Sequence, residues 1–229
     1  MLVYWCRSVA KEISIPDSNY GPEFWHSNWA EGGGAFTGGE RGRLLAAHWP
    51  RLGIPAGSEV LVPMSGKSPD MAWLAAHGFD VVGVDISPIA CEAFFAEHHI
   101  AADRAAAGPF VRWQGGGVTI LQGDFFDLDG TYAAALDRGG LVALPYQDRQ
   151  RYAQHLRRRL EPAGVLLLVT IEYDPARRSG PPFPVFPDEA RQLFPGAVER
   201  SRRRLCRARW TALGGADAVV WVMRAPRPR

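Results

Sequence analysis

The chain has 229 residues, 47% of them hydrophobic and 22% charged, which suits one α/β domain with a large buried core. A formal net charge of +2 is too small to mark a nucleic-acid partner. Nearly all the positive charge is arginine, with Lys11 and Lys67 the only lysines, so Arg157–Arg159 and Arg202–Arg204 read as solvated faces.

In chain order, residues 1–22 read as an irregular lead-in and 23–229 as the folded domain. The start, Met1 to Cys6, is apolar but shorter than a signal peptide requires, and no stretch reaches the length of a membrane span. Trp25 and Trp29 stand four apart and share one helical face. A glycine-rich stretch from Gly32 to Gly39 separates them from a helix through Leu44, Leu45, His48 and Trp49.

Strand and helix then alternate. Glu59–Pro63 is a short β-branched run; after the loop Met64–Ser68, a helix starts with Ser68 as N-cap and Pro69 at its first position. It stops near Gly78, and Asp80–Asp85 forms the next strand, followed by Ser87, Pro88 and a helix through His98. Val118–Gln122 is a strand, with a hairpin partner at Phe110–Gln114 across Gly115–Gly117. Ala133–Asp137 is a weak strand, 147–160 a helix with Tyr152, Leu156 and Leu160 spaced by four, and Gly164–Tyr173 the most apolar strand. Two further strands, near 198–206 and 216–223, follow without a helix between them. The pattern predicts an α/β, doubly wound, seven-stranded and mostly parallel sheet ending in an antiparallel edge hairpin.

In such a sheet the ligand sits beyond the carboxyl ends of the central strands. Strand, tight loop with Gly66, helix, strand and then Asp85 is the order of a nucleoside site, in which the carboxylate accepts from both ribose hydroxyls. The G-x-G-x-x-G and Walker patterns are both absent, so the ligand carries a ribose without a pyrophosphate, which fits S-adenosylmethionine. Asp124, after the third strand, is placed to accept from an adenine amine, with Phe125 stacked on the ring. The blander reading is a turn with two core phenylalanines.

At this point the sequence resembles the thiopurine S-methyltransferase family. The resemblance rests on Phe24-Trp25-His26-Ser27-Asn28-Trp29, on Val60 to Met71 with Pro63-Met64-Ser65-Gly66-Lys67-Ser68, on Val82 to Ser87, and on Gly123-Asp124-Phe125-Phe126. It continues through Asp137-Arg138-Gly139-Gly140-Leu141-Val142-Ala143-Leu144-Pro145, Asp148 to Ala153, and Tyr173 to Phe183. The family implies the class I methyltransferase fold, with an N-terminal segment carrying Trp25, Trp29 and Phe36 as a lid over the cofactor. It implies that Met64 contacts the cofactor's methionine portion, that Asp85 holds the ribose, and that Asp124 and Phe125 hold the adenine. Arg138 would face the acceptor sulfur, with Arg209 as a second arginine from the C-terminal side. The sequence departs from the family in having Ser65 for cysteine, Asp85 for glutamate and Ala35-Phe36-Thr37 for Gly-Phe-His.

Those residues imply methyl transfer from S-adenosylmethionine to a small thiol, with no metal and no cysteine, histidine or serine nucleophile. A guanidinium lowers a thiol's pKa without removing its proton; the alternative for Arg138 is an ion pair with Asp137 or Asp148. Lys67 is either a loop-closing partner of an acid or a solvated lysine. Rival acceptors are halide, thiocyanate and selenium or tellurium species, and rival classes are an NAD-dependent oxidoreductase and a non-catalytic cofactor-binding module. Cys6, Cys91 and Cys206 have no C-x-x-C spacing, which fits a reducing cytoplasm. A soluble cytoplasmic monomer, without membrane or nucleic-acid partners, is the expectation.

Overall fold

The computed structural model describes residues 20–33, 43–205, 208–211 and 214–227, with the side chains of 208 and 209 excepted. The strands are β1 (Glu59–Pro63), β2 (Asp80–Asp85), β3 (Asp103–Ala107), β4 (Phe110–Gly115), β5 (Val118–Gln122), β6 (Tyr132–Asp137), β7 (Leu160–Glu172), β8 (Val198–Leu205) and β9 (Ala216–Arg224). They form one sheet in the order β3-β4-β5-β2-β1-β6-β7-β9-β8.

The five central strands, β5-β2-β1-β6-β7, are parallel. From β1 the chain winds outward through β2 to β5, then returns to place β6 on the other side of β1. That reversal is the topological switch point, and it opens a crevice beyond the carboxyl ends of β1 and β6. The expected C-terminal hairpin is present, β9 running antiparallel to both β7 and β8.

The predicted seven-stranded, mostly parallel sheet needs correction. The described sheet has nine strands, and four of its eight pairings are antiparallel. Of the two strands beyond seven, β4 is the hairpin partner offered for β5, and β3, which no sequence signal marked, reads Asp-Arg-Ala-Ala-Ala and is almost wholly exposed. It has no buried face to impose a period of two, and alanine is a poor strand marker. A short helix, Ala208–Thr211, also interrupts the terminal hairpin.

The helices that position the site are α1 (Pro22–Ala30), α2 (Arg43–His48), α3 (Pro69–Ala76), α4 (Pro88–Glu97), α5 (Gly140–Ala143) and α6 (Tyr146–Arg158). Ser68 and Ser87 cap α3 and α4 by accepting from the backbone N–H of Asp70 and Ala90, each at 3.3 Å. Pro69 and Pro88 occupy the first positions, where a missing N–H is no loss. Helix α6 turns Tyr152, Ala153 and Leu156 inward, along with the whole of Arg149, whose guanidinium is paired with Glu189.

Alternation along β1 and β7 divides the core into two layers. Leu61, Leu166 and Leu168 face α6, whereas Val60, Val62 and Leu167 face α2, α3 and α4. Each layer packs a full set of helices against one face of the sheet, which leaves its carboxyl edge free for the crevice. Among the described residues, no helix is long and apolar enough to cross a membrane.

Candidate active site

The crevice at the switch point is a cleft of about 1100 Å³ lined by the ends of β1, β2, β5 and β6 and roofed by α1. On the cofactor side, the chain leaving β1 is bent sharply: Met64 has φ +46° and Gly66 φ +52°. A left-handed Met64 is strained, whereas Gly66 adopts that conformation freely. A side chain at Gly66 would also meet the Trp29 ring, because a Cβ there would sit 2.9 Å from Cζ2. Gly66 is therefore required twice, by its backbone and by the indole lying on it.

Asp85 closes this loop. Its Oδ2 accepts from the Gly66 N–H at 2.6 Å and its Oδ1 from the Ser87 N–H at 2.9 Å. The carboxyl is 8% exposed, and burial pushes its pKa up to about 6, against the opposing pull of the two N–H groups and His26. A carboxylate offers about four lone-pair sites. With one used on each oxygen, each retains capacity for another donor. A ribose with adjacent hydroxyls fits that arrangement.

Helix α1 carries Trp25 and Trp29 on the cleft side. It is anchored by His26, whose Nε2 donates to the carbonyl of Ile86 at 3.1 Å, directly after Asp85. Tyr20, Phe24 and Trp25 form a run of edge-to-face rings at 4.9 and 5.1 Å, and Tyr20 also meets Phe183 at 5.1 Å. No residue of α1 is fully buried, consistent with a segment that completes a binding wall rather than the core. Phe36 and the side chain of Arg209 lie outside the described residues, as does the lead-in up to residue 19.

After β5, Asp124 is exposed and caps a short turn, accepting from the Phe126 N–H at 2.9 Å. Phe125 lines the cleft yet is only 3% exposed, its ring packed on Tyr152 at 5.4 Å and His155 at 4.8 Å. Phe126 is the more exposed of the pair and carries the Arg151 guanidinium 3.8 Å from its ring centre.

Arg138 follows β6 and lines the cleft. Among the described residues it pairs with neither Asp137 nor Asp148 but with Asp70: Nη1 donates to Asp70 Oδ2 at 2.7 Å, across the switch point. Asp137 faces inward and is fully buried. It accepts from the N–H groups of Gly140 at 2.9 Å and Leu141 at 3.2 Å, and from the Tyr152 hydroxyl at 2.9 Å. This brace behind Arg138 and the Asp70 pair had no sequence signal, since their separations, 15 and 68 residues, follow no local period. Lys67 pairs with Glu97 of α4, so it closes the loop onto the next helix. Among the described residues, no group of three or more His, Cys, Asp and Glu side chains is arranged around a metal.

The model of the family described as thiopurine S-methyltransferase matches residues 20–207. A thiopurine S-methyltransferase of Bordetella petrii is 42% identical over 181 residues, covering 77% of this chain and 83% of its own. The chain belongs to the thiopurine S-methyltransferase family. A Methylococcus capsulatus member is also 42% identical, over 74% of this chain and 78% of its own. Among solved structures, a Burkholderia thailandensis 1,6-didemethyltoxoflavin-N1-methyltransferase with bound S-adenosylhomocysteine shares the fold, with a TM-score of 0.61 and 20% identity over 90% of this chain and 87% of that one. The magnesium protoporphyrin IX methyltransferase of Synechocystis gives a TM-score of 0.56 at 15% identity, over 79% and 80%. The protein is thus a methyltransferase with S-adenosylmethionine as its methyl donor. The bent Met64–Gly66 loop and the Asp85 carboxylate line the same cleft, at the ends of β1 and β2.

Gly66→Ala tests that loop. An L side chain at φ +52° against Trp29 costs about 1 kcal/mol in backbone conformation alone and displaces the indole. S-adenosylhomocysteine affinity is expected to fall roughly tenfold, read by titration calorimetry. Parent-like affinity would show that Trp29 moves aside freely and takes no part in the site.

Proposed function

We propose that this methyltransferase acts on the sulfur of a small thiol. The observation that carries the reading is the placement of Arg138: a guanidinium at the end of β6, in the same cleft as Asp85 and the Met64–Gly66 loop. In this reading Trp25, Trp29, Met64, Gly66 and Asp85 hold the cofactor, with Asp124 and the Phe125–Phe126 turn at its adenine end. The family resemblance assigns Arg209 to the acceptor and Phe36 to the lid, both beyond the described side chains.

The cofactor supplies a methyl group on a positively charged sulfur, which an electron-rich nucleophile in line with it displaces. The chain's own task is alignment and charge control. Holding two reactants in line is worth about 7–11 kcal/mol in well-aligned systems. A thiol at neutral pH is mostly protonated, with an ordinary pKa of about 8.5. Arg138, always charged, favours the thiolate while the proton leaves to water. The aromatic run of Tyr20, just before α1, with Phe24 and Trp25 on it, excludes water above it.

Charge favours a thiol over a free halide or thiocyanate. Among the described lining residues Glu23, Asp70, Asp85, Asp124 and Asp148 stand against Arg138 and Arg151. The balance among these described residues disfavours small anions and admits a neutral thiol, which ionises beside Arg138. The test is S-adenosylhomocysteine release with a panel of aromatic and aliphatic thiols, halides, thiocyanate and selenite. Turnover is expected with thiols; turnover confined to halide or chalcogen oxyanions would overturn the acceptor class while leaving the donor in place.

A further inference from the structure

Arg138 reaches the cleft from one side of the switch point, and Asp70 meets it from the other, in the first turn of α3. Asp70 is 1% exposed. One oxygen takes the 2.7 Å contact from Arg138, and the other, Oδ1, is buried with no hydrogen-bond partner. An ion pair that buries a carboxylate with one of its oxygens unsatisfied is a poor source of stability, because the desolvation of that oxygen is left uncompensated. Its geometry suits a different task. The Ser68 cap fixes the Asp70 backbone, and the first turn of α3 favours a negative charge. A short charge-assisted contact then limits the orientations of a long arginine side chain in an open cleft.

We propose that Asp70 is a positioning residue of the site, acting through Arg138 by holding its guanidinium toward the bound reactants. The proposal rests on Arg138 serving the reaction, and it assigns to Asp70 no contact with substrate. Two consequences separate it from a general structural role. The effect of losing Asp70 must depend on Arg138 being present. In addition, Asp70 must be able to hold a guanidinium that is not attached to the chain.

Asp70→Asn keeps the volume and one acceptor oxygen, and it is expected to lower kcat/KM by at least about tenfold, as misplaced catalytic groups do. In an Arg138→Ala background the same substitution should change kcat/KM by less than about twofold, the signature of two residues acting as one unit. Millimolar guanidinium chloride should restore activity to Arg138→Ala, and should not restore it to the Asp70→Asn/Arg138→Ala double variant. Asp70→Glu, which keeps the charge, should recover kcat/KM to within about threefold of the parent and covers the case in which the asparagine variant does not fold. Equal losses in both backgrounds, guanidinium rescue of the double variant, or a glutamate variant as impaired as the asparagine one would overturn the proposal. If Arg138→Ala retains parent activity, it is the role of Arg138 that fails.

Discussion

Asp85→Ala is expected to weaken S-adenosylhomocysteine binding at least a hundredfold. Two charge-assisted hydrogen bonds to ribose hydroxyls, at about 1.5–3 kcal/mol each, correspond to roughly two to four orders of magnitude. The substitution also removes the acceptor that joins the Gly66 and Ser87 N–H groups, so the loop loses its tie to β2. Hydrogen bonds to the carboxylate favour its charged form, so the cofactor binds the ionised protein more tightly. Burial has set the free carboxyl's pKa near 6, so parent affinity should be flat above neutrality and fall by about tenfold between pH 7 and pH 5. Asp85→Ala should lose most of that dependence. Calorimetric titrations at pH 5, 6, 7 and 8 decide it. A parent affinity unchanged across the series, or the same slope in the variant, would remove Asp85 from the cofactor site.

The parts of this protein legible in the sequence are those governed by local rules. Ser68-Pro69 and Ser87-Pro88 announce their helices because capping and the missing proline N–H act within one turn. Asp85 could be placed because a strand end, a tight loop and a parallel neighbour leave a carboxylate few other positions. Strand β3 was illegible because its residues are exposed, and exposure leaves no pattern. The partners of Arg138, Asp137 and Arg149 were illegible for another reason. Arg149 reaches the Leu144 and Pro184 carbonyls and Glu189, and Asp70 reaches Arg138, through packing that only the closed sheet brings about. Even adjacent residues divide this way: a turn rather than a period decides that Phe125 packs inward while Phe126 lies under Arg151. Long-range polar pairing was the missing layer.

The brace behind Arg138 is expected to be the most sensitive point of the fold. Asp137→Ala leaves the Tyr152 hydroxyl and the N–H groups of Gly140 and Leu141 without their buried acceptor. At about 1–3 kcal/mol each, the loss should exceed roughly 4 kcal/mol and lower the melting temperature by about 10 °C or more. Tyr152→Phe is milder and carries a sharper test. Burial already holds the Asp137 carboxyl at about 6, and the Tyr152 hydroxyl is one of the groups pulling it down. Because that value lies above the ordinary carboxyl pKa of the unfolded chain, the folded state binds the extra proton between about pH 4 and 6. Stability from this group is therefore complete below that window and lost as pH rises through it. Removing the hydroxyl raises the folded pKa further, so the loss deepens and extends to higher pH. Tyr152→Phe should then cost about 1.5–3 kcal/mol at pH 7.5 and distinctly less at pH 5, where Asp137 is mostly protonated in both proteins. Urea unfolding of parent and variant at the two pH values measures the difference. An equal cost at both, or a larger one at pH 5, would mean that the hydroxyl contributes packing alone and that the charge of Asp137 is held by the Gly140 and Leu141 backbone.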